Sequence, residues 1–179
     1  MEDQNTQAEV KVTTRSAGIR YGLMMSVLSI AFFVIMQVAG LDMQGPVGYV
    51  GWVITAVMLY LAHKYYKDEG DGYMSIGQGV GIGFWAGLVS SVISSIFTYI
   101  YIKFIDSGFM EAIQDKQIQS MQERGMSDEQ IDQAMKFASA FSSAEAIFIF
   151  GIVFGILGGV IIGLIVALFT KNNNPEMPV

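Results

Sequence analysis

Apolar residues fill four long stretches of this chain: Ile19 to Gly40, Val47 to Tyr65, Ile76 to Ile102 and Ala144 to Phe169. Polar residues gather in the spaces between them. Each stretch is close to or longer than the roughly 20 residues that carry a helix across the hydrocarbon core of a bilayer, so the pattern predicts four spans. The second is the weakest, because His63 and Lys64 cut short its apolar run. Small residues recur at every fourth position within the spans. Span four carries Gly151, Gly155, Gly159 and Gly163. Span three carries Gly79, Gly83 and Gly87 and continues the row through Ser91 and Ser95, and span one has Gly18, Gly22 and Ser26. Residues four apart share one helix face, so each row predicts a groove free of side-chain bulk. A glycine in a water-soluble helix costs about 1 kcal/mol against alanine, whereas in lipid it lets two backbones approach closely. Intramolecular packing of spans three and four is the first expectation for these rows, a subunit interface the second and a pore lining the third.

The period changes between spans three and four. Over residues 106–143, Phe109, Ile113, Gln117 and Met121 mark one helical face, with Met110 and Ile118 beside it. Gly125 suits a C-terminal cap, and Ser127 with Gln130 gives a capping-box pattern for a second helix. Ile131, Met135, Ala138 and Phe141 continue an apolar stripe along it. The expectation is an amphipathic helical hairpin lying over the end of the bundle. Phe109, Met110, Ile113, Met121, Ile131 and Met135 form its candidate partner surface, since the methionine thioether suits adaptable contacts. Acids outnumber bases in this insertion, which argues against attraction to anionic lipid.

Charge sets the orientation. Lys11, Arg15 and Arg20 precede span one, Lys64 and Lys67 lie between spans two and three, and Lys171 follows span four, while only Lys103 flanks a span closely on the other side. By the positive-inside rule both termini are expected in the cytoplasm and the hairpin outside it. The first apolar run is too long for a signal-peptide core and has a poor cleavage site at Gln37-Val38-Ala39, so it is read as an uncleaved anchor. The expected organisation is a cytoplasmic tail over 1–18, a single four-span membrane domain over 19–169, and a disordered cytoplasmic tail over 170–179. Composition agrees: 53% of residues are hydrophobic and 15% charged, well below the charge of soluble domains. The net charge of −6 disfavours nucleic acid as a partner.

Little in the chain points to chemistry. There is no cysteine, hence no thiol nucleophile or thiolate metal site. Gln37, Thr55, Gln78, Ser90, Ser91, Ser94, Ser95 and Thr98 lie in the spans, but no acid or base sits at a span centre, as a proton relay or ion-coupled carrier would need. The serines are read as interhelical donors or as bonding back to their own helix. His63 stands alone at a membrane boundary and is read as an interfacial side chain. Lys67 to Gly72 departs from the EF-hand pattern, and Gly77-x-Gly79-x-Gly81 lacks the strand a dinucleotide site needs. Asp106 and Glu111 could act as a carboxylate pair, although a capping role for Asp106 or Ser107 is the stronger expectation. Neither a metal nor another cofactor is expected.

Tyr101-Ile102-Lys103-Phe104-Ile105-Asp106 with Gly108-Phe109-Met110-Glu111, Gly125-Met126-Ser127-Asp128-Glu129-Gln130-Ile131, Ser75-Ile76-Gly77-Gln78-Gly79 and the glycine-rich last span together resemble a family of uncharacterised bacterial membrane proteins classed as a domain of unknown function. The resemblance covers nearly the whole chain and implies four spans with a helical insertion before the last. Ser107 stands where the family often has proline. The resemblance brings no activity and no functional residues. Its gene neighbourhoods, which often include polyprenyl-phosphate-type glycosyltransferases, imply a setting in envelope glycolipid or polyprenyl-linked processes.

The combined expectation is an all-α integral membrane protein of the bacterial inner membrane that is not an enzyme. It would serve as an accessory or scaffold embedded in the lipid bilayer, bound to a membrane-protein partner or to itself. The alternative is a small oligomeric permeation or lipid-handling protein. An enzyme using Asp106 and Glu111 on a lipid-linked substrate ranks third.

Overall fold

The computed structural model describes residues 12–41, 45–139 and 141–173. Four helices dominate: α1 (Thr14–Val38), α2 (Tyr49–Asp68), α3 (Ile76–Ile100) and α6 (Ala144–Thr170). A 3-10 turn, Pro46–Gly48, leads into α2, and α3 runs on through a π-helical turn, Tyr101–Ile105. With these extensions the four segments are 25, 23, 30 and 27 residues long, each apolar and long enough to cross a membrane. The chain is a multi-pass membrane protein. Its bulky apolar side chains also point outward, among them Leu23, Val27, Ile35, Val53 and Ile161, as expected of helices that lipid surrounds. The first span starts at Thr14, not Ile19, because Thr13 and Ser16 form a reciprocal capping box there. Residues 1–11 of the expected N-terminal tail lie outside the described residues.

Helix α3 occupies the middle. Its most extensive contact is with α6, and the next is with α1. Gly18 and Gly22 bring α1 against it: a Cβ on Gly18 would fall 2.9 Å from Ile82 O, and one on Gly22 2.8 Å from Ala86 O. Met25, Met58, Leu59, Ala86 and Ile162 then meet as one buried cluster, and Ala17, Ala62, Met74 and Ile82 as another. Helix α2 joins only through its second half, for its buried residues are Met58, Leu59, Ala62 and His63.

The insertion forms α4 (Phe109–Glu123) and α5 (Asp128–Ser139). Gly125, at φ 76°, closes α4: its N–H donates to Gln122 O at 2.9 Å and Met126 N–H to Met121 O at 3.2 Å, the paired bonds of a Schellman cap. Ser127 N–H donates to Gln130 Oε1 at 3.0 Å and Gln130 N–H to Ser127 Oγ at 3.4 Å, which opens α5. Packing of this hairpin across the bundle end is not observed. Neither α4 nor α5 makes an extensive contact with the four long helices. Aromatic contacts root it instead. Phe109 lies 5.8 Å from Phe33 and 5.6 Å from Tyr101 between ring centroids, and Phe141 links Phe137 at 5.3 Å to Phe150 at 5.4 Å.

The start of the expected disordered C-terminal tail is ordered. Met74 N–H donates to Asn172 O at 2.8 Å, Asn172 N–H donates to Met74 O at 2.9 Å, and the Asn172 side chain reaches Gly72 O. The polar tail thereby finds backbone partners in the α2–α3 turn. Residues 174–179 lie outside the described residues.

Candidate functional site

The two long glycine rows face each other. A Cβ built on Gly159 would stand 2.5 Å from Gly83 O and 2.8 Å from Gly87 Cα, and one on Gly87 would stand 2.9 Å from Gly155 O. One on Gly163 would lie 3.0 Å from Gly83 Cα, one on Gly79 2.6 Å from Ala167 Cβ, and one on Gly151 2.6 Å from Ser95 Oγ. Gly155 likewise receives Ser91. Most of these neighbours are backbone atoms or β-carbons, which no side-chain rotation can move. Gly79, Gly83, Gly87, Ser91, Gly151, Gly155, Gly159 and Gly163 thus build an internal α3–α6 seam, closed where Gly79, Gly83 and Gly163 lie and bordering a cavity from Gly87 and Gly159 toward Gly151.

The candidate partner residues divide. Phe109 is committed to the aromatic cluster at the root of α4, and Ile131 is 6% exposed. Neither is a free contact surface. Met110, Ile113, Met121 and Met135 are half-buried. Helix α4 buries no residue, and α5 buries Ile131 alone. Phe137, absent from the expected surface, is 73% exposed, although it lies four residues before Phe141 on the same stripe.

Asp106 and Glu111 flank the start of α4, Glu111 in its first turn. Asp106 accepts from Gly108 N–H at 3.1 Å, closing the turn before α4, and Gly108 is the N-cap without a side-chain hydrogen bond. Lys103 pairs with Glu145 at 3.0 Å on the exposed surface. Among the described residues no group of three metal-ligating side chains comes together.

His63 does not face outward but is enclosed by the bundle. It is 0% exposed, with Nδ1 2.9 Å from Thr170 Oγ1 and Nε2 3.1 Å from Gly79 O. A carbonyl only accepts, so Nε2 carries a proton and donates to it. Lys67 Nζ donates to Thr170 O at 2.9 Å, satisfying a carbonyl at the end of α6. Together these side chains tie α2, α3 and α6 at the end of the bundle nearest the termini. Sequence reading missed this because one partner is a backbone carbonyl and the other lies 107 residues away. The available signal was that Thr170 ends span four at the depth of His63.

At the opposite end α2 stands away from its neighbours and leaves a cavity of about 380 Å³ between α1, α2, α3 and α6. Hydroxyl groups dominate its polar lining: Ser29, Thr55, Ser90, Ser91, Ser94, Ser95 and Thr98. Thr55 bonds back to Gly51 O, and Ser91 to Leu88 O. Ser94 Oγ is buried without a hydrogen-bond partner. Met25, Ile147 and Ile162 supply apolar lining, and Trp52 and Phe154 frame it from α2 and α6.

Residues 20–172 match the family described as Protein of unknown function (DUF4199), and the chain belongs to it. No curated protein and no solved structure matches the chain.

Proposed function

We propose that this member of the DUF4199 family is a non-enzymatic accessory or scaffold protein of the bacterial inner membrane. Both termini lie in the cytoplasm, and the hairpin α4–α5 meets a membrane-protein partner outside it. The observation that carries this reading is the hairpin's partly covered apolar stripe, with Met110, Ile113, Met121 and Met135 half-buried and Phe137 exposed. It is amphipathic and rich in methionine, yet α4 buries none of its side chains within the chain. The glycine rows, the other contact surface the sequence offers, are occupied internally. The excess of acids on the hairpin favours a partner face that carries bases. The setting that the family resemblance implies is an envelope glycolipid or polyprenyl-linked process.

A photo-crosslinking residue at Met121 or Phe137, activated in native membranes, tests the reading. A discrete adduct with one membrane protein, or with a second copy of the chain, supports it. Absence of any adduct from both positions overturns it. The hydroxyl-lined cavity favours a second reading, a lipid-handling protein, in which the bundle rather than the hairpin carries the activity.

A further inference from the structure

The cavity between the four long helices is lined largely by hydroxyl groups and glycines. Its origin is local: no residue of α2 before Met58 is buried, and Gly48 and Gly51 line the α2 side without side chains. Ser90 and Ser95 are 8% and 7% exposed. Their hydroxyls, with those of Ser94 and Thr98, form no hydrogen bond to another described residue. Serines in apolar helices usually bond back to the preceding turn, as Ser26 and Ser91 do here. A group of hydroxyls that leave that bond unmade, on the wall of one cavity, is set to engage something inside it.

Position and charge identify the class of ligand. Ser90 lies 14 residues into α3, about 21 Å along its axis, and Thr98 about 12 Å further on. The hydroxyls therefore run from near the middle of the bilayer toward its hairpin-side face. Among the described residues no ionisable side chain lines the cavity, so a phosphate or ammonium there would be buried without a counter-charge. Trp52 and Phe154, which are 58% and 66% exposed, both line the cavity and face the lipid. They put an edge of the cavity at the bundle surface on the α2 and α6 sides, and that edge would serve acyl chains as a lateral mouth. The volume lies at the lower end of the range for small-molecule pockets.

We infer that this cavity binds the uncharged, hydroxyl- and ester-bearing head of a neutral diacyl lipid, with its tails directed out between Trp52 and Phe154. The inference is independent of any partner at the hairpin.

The full-length chain in phosphatidylcholine vesicles provides the test. Two photoactivatable probes with identical acyl chains are compared, a diacylglycerol and the corresponding phosphatidic acid, and labelled peptides are mapped. The diacylglycerol is expected to label the segments around Trp52 and Phe154 in preference to the phosphatidic acid. Ser90→Ala with Ser94→Ala should reduce that preference by roughly fivefold for each hydrogen bond lost. Thr98→Val, at another of these hydroxyls, serves where the double variant does not fold. Equal labelling by the two probes would mean that lipid meets only the outer surface, and would overturn the inference. A diacylglycerol preference that survives removal of the hydroxyls, or that maps away from the mouth, would overturn it as well.

Discussion

The α3–α6 seam is tight enough that a single methyl group should open it, and Gly159 is the place to add one. An alanine Cβ there would stand 2.5 Å from Gly83 O and 2.8 Å from Gly87 Cα. Both are backbone atoms of α3, so no side-chain rotation relieves the overlap and the helices must part. Reaching an ordinary contact near 3.4 Å requires about 0.9 Å of separation, and a gap of that size forfeits a quarter to a half of each dispersion contact. Overpacking of this kind typically costs about 1–3 kcal/mol. Alanine returns about 1 kcal/mol of helix propensity. Because the displacement runs along a helix pair, we set the net loss near the top of that balance, about 2 kcal/mol. For a chain of this size, that corresponds to a fall in Tm of about 4–8 °C. Gly158 is the control, since a Cβ there meets only Trp52 Cζ3 at 3.8 Å. Gly158→Ala should therefore keep the propensity gain and hold or raise Tm by about 2–4 °C. Thermal unfolding of both variants in one detergent, followed by circular dichroism, separates them. If the two shift alike, the seam is not the close backbone contact described.

Other outcomes follow from the remaining features. His63→Ala removes two buried hydrogen bonds and leaves a void, and should cost about 2–4 kcal/mol, while Thr170→Val should cost about 1 kcal/mol. In the double variant the two losses should fall short of additive, and strict additivity in detergent unfolding would show that the two side chains do not act on each other. A cysteine at Gln119 should react with an impermeant thiol reagent in intact spheroplasts and one at Glu69 should not, whereas the reverse pattern would place the hairpin in the cytoplasm. Glu69 is preferred to Gly70, where a Cβ would come within 2.6 Å of Tyr66 O. Asp106→Asn with Glu111→Gln should leave cross-linking from Met121 unchanged, and loss of the adduct would show that these carboxylates contribute to the partner contact.

What the sequence carried was periodic, and what it hid was not. The four-residue rows marked the faces of α3 and α6 because a repeat on one helix needs no knowledge of another. Gly125 and the Ser127–Gln130 pair marked the hairpin turn for the same reason, since caps are written within a few residues. The His63 tie could not be found that way: its identity rests on how far α2 slides along α6, which no local pattern encodes. Ser90, Ser94 and Thr98 were visible as polar residues within a span and the serines were expected to bond across helices or back to their own, yet their surroundings depend on α2 leaning away before Met58. Lipid-facing and buried faces are also equally apolar here, so hydrophobicity alone could not distinguish Phe109, which is committed to the bundle, from Phe137, which is exposed.

The placement of α6 in the sequence has a consequence for biosynthesis. The glycine face of α3 is complete once Ile105 has been made, but the surface that covers it ends at Thr170, 65 residues later. At about 5–20 residues per second, a nascent chain holds that face uncovered for some 3–13 seconds. Throughout that interval the strongest helix-association surface in the protein is open to any small-residue helix inserting nearby. The same applies to the carbonyl of Gly79, which His63 can reach early but which is enclosed only when Thr170 arrives. Insertion of the last helix is thus the step that commits the whole bundle. Between translation of α3 and translation of α6, the chain depends on its cellular surroundings to keep that face unoccupied.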